Sequence, residues 1–377
     1  MRKWMRFACA LLAALWLAPN AAGAEIVPAD EPDMHIERTI TIEGKEVAVD
    51  AGVYGTNVKE VQAYSLAGLN LGSRPEEKID LSVFLGDAEV EERRTQWTPE
   101  EVSFDLTDGS SFDIVHDYVI LRRKTLERIN NSTSWLYLPR EKRFLTDYAE
   151  HVQPDELPDF SLEEAVLRLE PMLSQLGITA MNRPTAAAYV TLEELNAAVK
   201  AHLDEGVSPE DVVIEDYTRD DEYYEFVLPY LYHGLVVMPT SENLPYTNQF
   251  ETPFAHVEAV VSRRCVEKLI ISFVPGKEKA SGKAFEPITV EEALAACEKI
   301  ESTREYPWYD GYENPRIGEI RLGYAFLSKD RAITEVNARP AWLIYIFCDF
   351  KNEDGSVDTT WQTIAIDAQT GEMLLRW

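Results

Sequence analysis

Ile317-Gly-Glu-Ile-Arg-Leu-Gly-Tyr324, Arg339-Pro-Ala-Trp-Leu-Ile-Tyr-Ile-Phe347 and Trp361-Gln-Thr-Ile-Ala-Ile-Asp-Ala-Gln-Thr-Gly-Glu-Met-Leu-Leu375 are the segments on which the fold turns. Each is short, apolar and rich in β-branched or aromatic residues, the composition of a strand. Asp354-Gly355 marks a turn between the second and the third. Gly371 supplies the positive φ that a tight turn after Ile366-Asp367 requires. The three pieces predict an antiparallel meander, with a helix over residues 289–300 in front of it. Trp342, Ile344 and Ile346 alternate onto one face of their strand, as Ile364 and Ile366 do on theirs. Ala293 and Leu294, one turn from Ala296-Cys297, give the helix a small-plus-large apolar stripe. That stripe is expected to cover the Trp342 face and bury the indole.

Pro340-Ala341-Trp342 at a strand entry, with a later strand ending Ile366-Asp367-Ala368-Gln369-Thr370-Gly371-Glu372-Met373-Leu374, resembles the ending of PepSY-type modules. It is also similar to the extracytoplasmic regulatory proteins of the Yyc type, which sit beside a sensor kinase. Tyr232-His233-Gly234-Leu235-Val236, an aromatic strand, an X-Gly turn and an apolar strand, looks like the propeptide-type relatives of PepSY. The resemblance implies a helix followed by a small antiparallel sheet, and no catalytic residues.

Upstream, Phe160-Ser161-Leu-Glu-Glu164-Ala-Val-Leu-Arg-Leu169 reads as a helix start, with Ser161 and Glu164 as a capping box and Phe160 as the staple. Pro171 must end or kink this helix. Ile288-Thr289-Val-Glu-Glu292-Ala-Leu repeats nearly the same string, and Thr191-Leu-Glu-Glu194-Leu repeats the box again. Strand candidates follow at 212–216, 223–228 and 234–238. A hairpin of 257–261 with 266–273 matches the one that closes the chain. This self-similarity predicts two α-then-β units, 159–278 and 284–377. Ahead of them, 36–53 alternates as a hairpin about Gly44-Lys45. Residues 81–85, 102–106, 112–116 and 118–121 read as strands, with Asp108-Gly109 as a turn, and 122–130 as either a strand continuation or a short helix. Residues 25–33 read as a loose leader and 154–159 as a linker. The predicted fold class is therefore α+β: a β-rich N-terminal domain over 25–155, then two PepSY-like units, each a helix packed on an antiparallel sheet.

The start of the chain carries an address. Arg2, Lys3 and Arg6 precede an apolar run over 7–17, Pro19-Asn20 breaks it, and Ala22-Gly23-Ala24 offers a cleavage site. Residues 1–24 are expected to be a signal peptide cut before Glu25, the alternative being an uncleaved anchor. The protein is accordingly expected to be exported, extracellular or at the outer face of the cytoplasmic membrane. Its 66 acidic against 36 basic residues repel nucleic-acid phosphate and anionic lipid, so neither is an expected partner. Cys265, Cys297 and Cys348, an odd set in apolar patterns, read as small buried hydrophobes rather than a disulfide with a spare thiol.

The six histidines, His35, His116, His151, His202, His233 and His256, share no metal-ligand spacing. There is no nucleophile elbow, phosphate loop or dinucleotide fingerprint. Asp220-Asp221-Glu222 beside Asp216 lacks calcium-loop order and reads as a solvated turn. No catalytic residue, cofactor or metal site is expected. The candidate binding residues are Tyr217, Tyr223, Tyr224, Tyr230 and Tyr232, read as half-exposed rings that take a peptide or glycan. The structural alternative is that alternate members face the helix on the sheet. Two functions remain in view: a non-enzymatic exported binding or regulatory protein of the bacterial cell envelope, whose partner is another envelope protein or a peptide, and an exported carboxylate-dependent hydrolase acting on polysaccharide or peptide.

Overall fold

The structure is a computed structural model, and it describes residues 26–28, 30–68, 75–95, 101–115, 118–126, 157–184, 186–204, 216–238, 256–300, 312–328, 335–351, 355 and 357–376. The expected signal peptide, the acidic part of the linker and most of the 212–216 candidate strand lie outside these residues. Among the described residues no helix is long and apolar enough to cross a membrane.

Along the chain the strands are β1 (Ile26–Val27), β2 (Met34–Ile42), β3 (Lys45–Tyr54), β4 (Tyr64–Gly68), β5 (Val90–Thr95), β6 (Val102–Leu106), β7 (Ser111–Val115) and β8 (Tyr118–Arg122). After the helices Leu162–Leu167 and Glu170–Leu176 come β9 (Thr179–Met181), β10 (Ala186–Val190), the helix Leu192–Asp204, β11 (Tyr223–Tyr232), β12 (Leu235–Val237), β13 (His256–Ser262), β14 (Val266–Ile271) and β15 (Pro275–Ala280). The helix Val290–Cys297 then leads into β16 (Tyr312–Ser328), β17 (Glu335–Lys351), β18 (Val357–Asp367) and β19 (Met373–Arg376).

Of the described residues, 54% are strand and 17% helical, with nineteen strands in one large mixed sheet and five short helices among them, so the expected α+β arrangement of helix-on-sheet units is not what the chain adopts. The reason lies in the reach of two strands. β16 and β17 are 17 residues each, about twice the length that their apolar cores announce. Such strands can serve different neighbours at their two ends. In β16, residues 316–321 bond in parallel to β3 and residues 323–324 bond in parallel to β12. In β17, residues 335–338 bond to β4 and 341–351 to β18. β8 likewise pairs with β14. Strands of the N-terminal region and of both expected units are thus interleaved, and neither unit has a sheet of its own. Parallel contacts of this kind join segments far apart in sequence, and local pattern carries no trace of them.

β17 runs through the core with both faces covered. Trp342, Ile344, Ile346 and Cys348 pack with β2, β3, β18 and the helix Val290–Cys297, whereas Ala341, Leu343, Tyr345 and Phe347 pack on the opposite side. Burial on both faces is why the sequence here is continuously apolar. As the alternation predicted, Trp342 is buried, 2% exposed, in one cluster with Val290, Ala293, Leu294 and Cys297, and its Nε1 donates to the Ile288 carbonyl at 2.8 Å. The largest core cluster lies elsewhere, between β6–β8, β11, β13, β14 and the Leu162–Leu167 and Glu170–Leu176 helices.

Local chemistry places most helix ends where expected. Thr289 and Glu292 form a full capping box, and so do Thr191 and Glu194 through the same pair of contacts. Ser161 Oγ accepts from Glu164 N, but the Glu164 carboxylate turns to Arg168 four residues on. The helix breaks after Leu167 and restarts with Pro171 in its first turn, where a missing N–H costs nothing. Two segments depart from expectation. Residues 82–85 are a helical turn rather than a strand, because Asp80 Oδ1 accepts from both Ser82 N and Ser82 Oγ and winds the chain. Residues 26–28 and 30–33 are not loose: β1 pairs in parallel with β9, and Asp33 accepts from Thr56 N and Asn57 Nδ2.

Candidate functional site

The five candidate tyrosines are all buried, between 0% and 8% exposed. Strand alternation sends them to different places. Tyr223 packs with Tyr217, Val190, Leu195 and Val260 on one side of β11. Tyr224, Tyr230 and Tyr232 point into the main core on the other. The Tyr224 hydroxyl donates to Phe160 O at 2.8 Å and accepts from Leu157 N at 2.7 Å, pinning the segment ahead of the Leu162–Leu167 helix. Tyr230 donates to Phe273 O, and with no charged partner its burial pushes the phenol well above the ordinary tyrosine range. These rings supply core area and internal hydrogen bonds rather than an open aromatic surface.

Tyr232 alone of the five belongs to a group that reaches solvent. It ends β11, and the two-residue turn His233-Gly234 follows with φ of 48° and 77°. Positive φ at both central positions is the type I′ geometry that a twisted hairpin favours, and histidine tolerates it better than most residues. The turn lays the His233 ring flat on Tyr64, with centroids 4.4 Å apart and planes 9° from parallel. Tyr232 stands edge-on to Tyr64, His233 and Tyr324. Its hydroxyl donates to Glu278 Oε2 at 2.6 Å, and His233 Nε2 lies 3.1 Å from the same oxygen. Burial, then the adjacent Glu278 carboxylate, pushes the Tyr232 phenol far up, and the same two causes raise Tyr64 more modestly. Both hydroxyls therefore stay protonated donors at neutral pH.

The His233 and Glu278 side chains are each 40% exposed. Glu278 comes from β15, Pro-Gly-Lys-Glu-Lys-Ala, whose residues 276–280 are exposed and which has β4 as its one paired neighbour among the described strands. The group therefore sets a carboxylate, an imidazole and a tyrosine face beside a strand edge. Such an arrangement can bind an extended segment by its main chain and read one side chain. The sequence placed His233 in a turn but gave no hint of Glu278 or Tyr64, since their meeting depends on β4 pairing with β15 across more than two hundred residues of chain.

Buried acids elsewhere turn toward internal partners. Glu222 accepts from Arg263 Nε and Nη2 and from Leu192 N, Asp221 pairs with Arg264 at 2.7 Å, and Glu267 accepts from the Ser262 and Thr125 hydroxyls. The Asp220-Asp221-Glu222 segment is thus not the solvated turn expected, since Asp221 and Glu222 are buried and paired. Among the described residues no cluster of three or more His, Cys, Asp or Glu side chains is suited to a metal ion. Cys297 and Cys348 are buried, Cys265 is partly so, and all three are free thiols, with burial pushing Cys265 and Cys348 up to about 11.

No protein-family model matches the sequence, and no curated protein matches it either. The chain is similar in structure to an uncharacterized protein from Eubacterium rectale ATCC 33656, with a TM-score of 0.55, 14% identity, and coverage of 90% of this chain and 93% of that one. At that identity the likeness speaks for the fold alone.

Proposed function

We propose that this is a non-enzymatic, exported binding or regulatory protein of the bacterial cell envelope that works through protein–protein contacts, and that the contact runs along β15. The observation that supports it is the outer edge of β15, flanked by the half-exposed Glu278–His233 pair and the Tyr64 ring. An available strand edge offers main-chain donors and acceptors to an extended segment of another chain, and neighbouring side chains supply selectivity. Lys277 and Lys279 on the same strand deter indiscriminate edge-to-edge association, a common safeguard on edges that remain open. The export pattern over residues 1–24 supplies the compartment in this reading.

A photo-crosslinking residue at Lys279, in the full chain expressed in its own cells, tests the proposal. A discrete adduct with one envelope protein is expected, weakened at least tenfold by Glu278→Arg. The same yield from a crosslinker at the exposed Lys59, or an adduct indifferent to Glu278→Arg, would remove β15 as the contact. N-terminal sequencing of the exported protein is expected to begin at Glu25.

A further inference from the structure

The charges along β15 are ordered, and the order bears on what kind of segment the edge takes. Gly276, Lys277, Glu278, Lys279 and Ala280 are all exposed. Glu278 and Lys279 sit opposite Leu66 and Ser65 of β4, so their side chains leave opposite faces of the sheet. Lys277 lies in the irregularity that the same ladder carries between Pro275 and Glu278. One negative charge is thus flanked along the strand by two positive ones.

Glu278 is held in place from inside the protein. Its Oε2 accepts from the Tyr232 hydroxyl at 2.6 Å and lies 3.1 Å from His233 Nε2. Tyr232 is itself buried and stands edge-on to Tyr64 and Tyr324. Among the described residues no hydrogen bond reaches the other oxygen, Oε1, and the side chain is 40% exposed. A carboxylate anchored through one oxygen and half open to solvent is a preorganised acceptor for a cationic side chain.

In an extended segment laid along the edge, the residue opposite Glu278 shares its face, and the next residue shares the other face with Lys279. Opposite charges across such a pair attract, and like charges repel. A second copy of β15, antiparallel and centred on Glu278, would set Glu278 against Glu278 and Lys277 against Lys279, like on like at each position. The charge order therefore favours a strand of different sequence over self-pairing.

We propose that the β15 edge selects an extended protein segment in which a lysine or arginine, flanked by acidic residues, lies opposite Glu278. This rests on the contact proposed above and names the chemistry of the segment that it takes. The preference runs against the field of the whole chain. With 66 acidic and 36 basic residues, unspecific attraction would favour an all-basic segment.

The probe is a displayed library of short extended peptides with Glu, Lys, Thr and Val free at every position, panned on the full exported chain at fixed ionic strength. Wild type is expected to enrich an acidic–basic–acidic triplet about tenfold over basic–acidic–basic, because every cross-strand charge pair changes sign between the two. Lys277→Glu, Glu278→Lys and Lys279→Glu together are expected to invert that preference. Lys277→Glu with Lys279→Glu keeps the Glu278 contact to Tyr232; it is expected to select an all-basic triplet, and it carries the test should the triple variant not fold. An all-basic triplet from wild type, the same triplet from wild type and the variants, or no charge order in the recovered peptides would each overturn the proposal. A Lys279 crosslink that persists without charge order leaves β15 as the contact and removes only its selectivity, whereas loss of both removes both.

Discussion

Trp342 follows a proline at a strand entry, a position that sequence alone leaves open to a ligand platform or a core anchor. Its indole is buried in one core cluster with Leu294 and Cys297 and donates to the Ile288 carbonyl, so the second role holds. Trp342→Ala is expected to cost about 3–5 kcal/mol, read by urea denaturation, and Trp342→Phe less. The Ile288 carbonyl also positions the start of the next helix, so the capping box and the indole are neighbours in one small assembly. There, Thr289 N and Oγ1 donate to Glu292 Oε2 at 2.8 and 2.9 Å. The Thr289 backbone and hydroxyl hydrogen bonds hold the Glu292 carboxyl below its ordinary value, against a smaller effect of burial. A carboxylate depressed in the folded state stabilises it above the unfolded pKa of about 4.3, and that contribution fades as pH falls through the lower folded value. Thermal unfolding followed from pH 6 to pH 3 is therefore expected to lose less Tm in Thr289→Ala than in wild type below about pH 4.5. Parallel curves would mean that the box does not couple to protonation.

At the scale of elements, the switch of partners along β16 is enforced by Gly323. A Cβ there would collide with the Val236 carbonyl oxygen and come within 2.7 Å of Leu343 Cδ1. Backbone on one side and a packed side chain on the other leave little room to yield. Gly323→Ala is expected to destabilise by at least about 1–3 kcal/mol, and to raise amide exchange in β12 before β3, since Val236 pairs with Gly323 itself. This is also where legibility in the sequence stops. The alternation of Trp342, Ile344 and Ile346 gave the strand, its buried face and its covering helix from neighbours close in the chain. Capping boxes at 191 and 289 were equally readable, because their donors and acceptors are three residues apart. Glu319 and Arg321, by contrast, look like the outward residues of a half-exposed strand, yet they are buried. A charge alternating with apolar residues says that two faces differ, not that one of them meets solvent. The candidate site was legible to a smaller degree still. The Tyr232-His233-Gly234 turn could be read locally, but Tyr64 and Glu278 join it through a long-range ladder, and the tyrosine-rich strand taken for a binding face is buried on both sides.

The interleaving of segments makes a claim about the whole molecule. Residues 284–377 contain the helix Val290–Cys297 and β16–β19, and they looked self-sufficient as a sequence. In the folded chain their core is shared with Ile40, Ile42, Val47, Val49 and Val53 from β2 and β3. Burying a valine or isoleucine fully is worth roughly 1.5–3 kcal/mol, so losing five such neighbours removes about 8–15 kcal/mol. That equals or exceeds the roughly 5–15 kcal/mol by which a domain is ordinarily stable. Deleting β3 and β12 also strips β16 of its ladder partners on one side, leaving backbone donors and acceptors to water. The 284–377 fragment, expressed alone, is therefore expected not to fold, with collapsed amide dispersion in its proton–nitrogen spectrum. Adding a second chain that supplies residues 26–68 is expected to restore part of that dispersion, because it returns β2, β3 and β4 to the β16–β17 ribbon. In the full chain, the tryptophan fluorescence and far-ultraviolet signals are expected to change together across a urea titration. A well-dispersed spectrum from the isolated fragment, or two separated transitions in the full chain, would show that the closing segment is an independent unit after all.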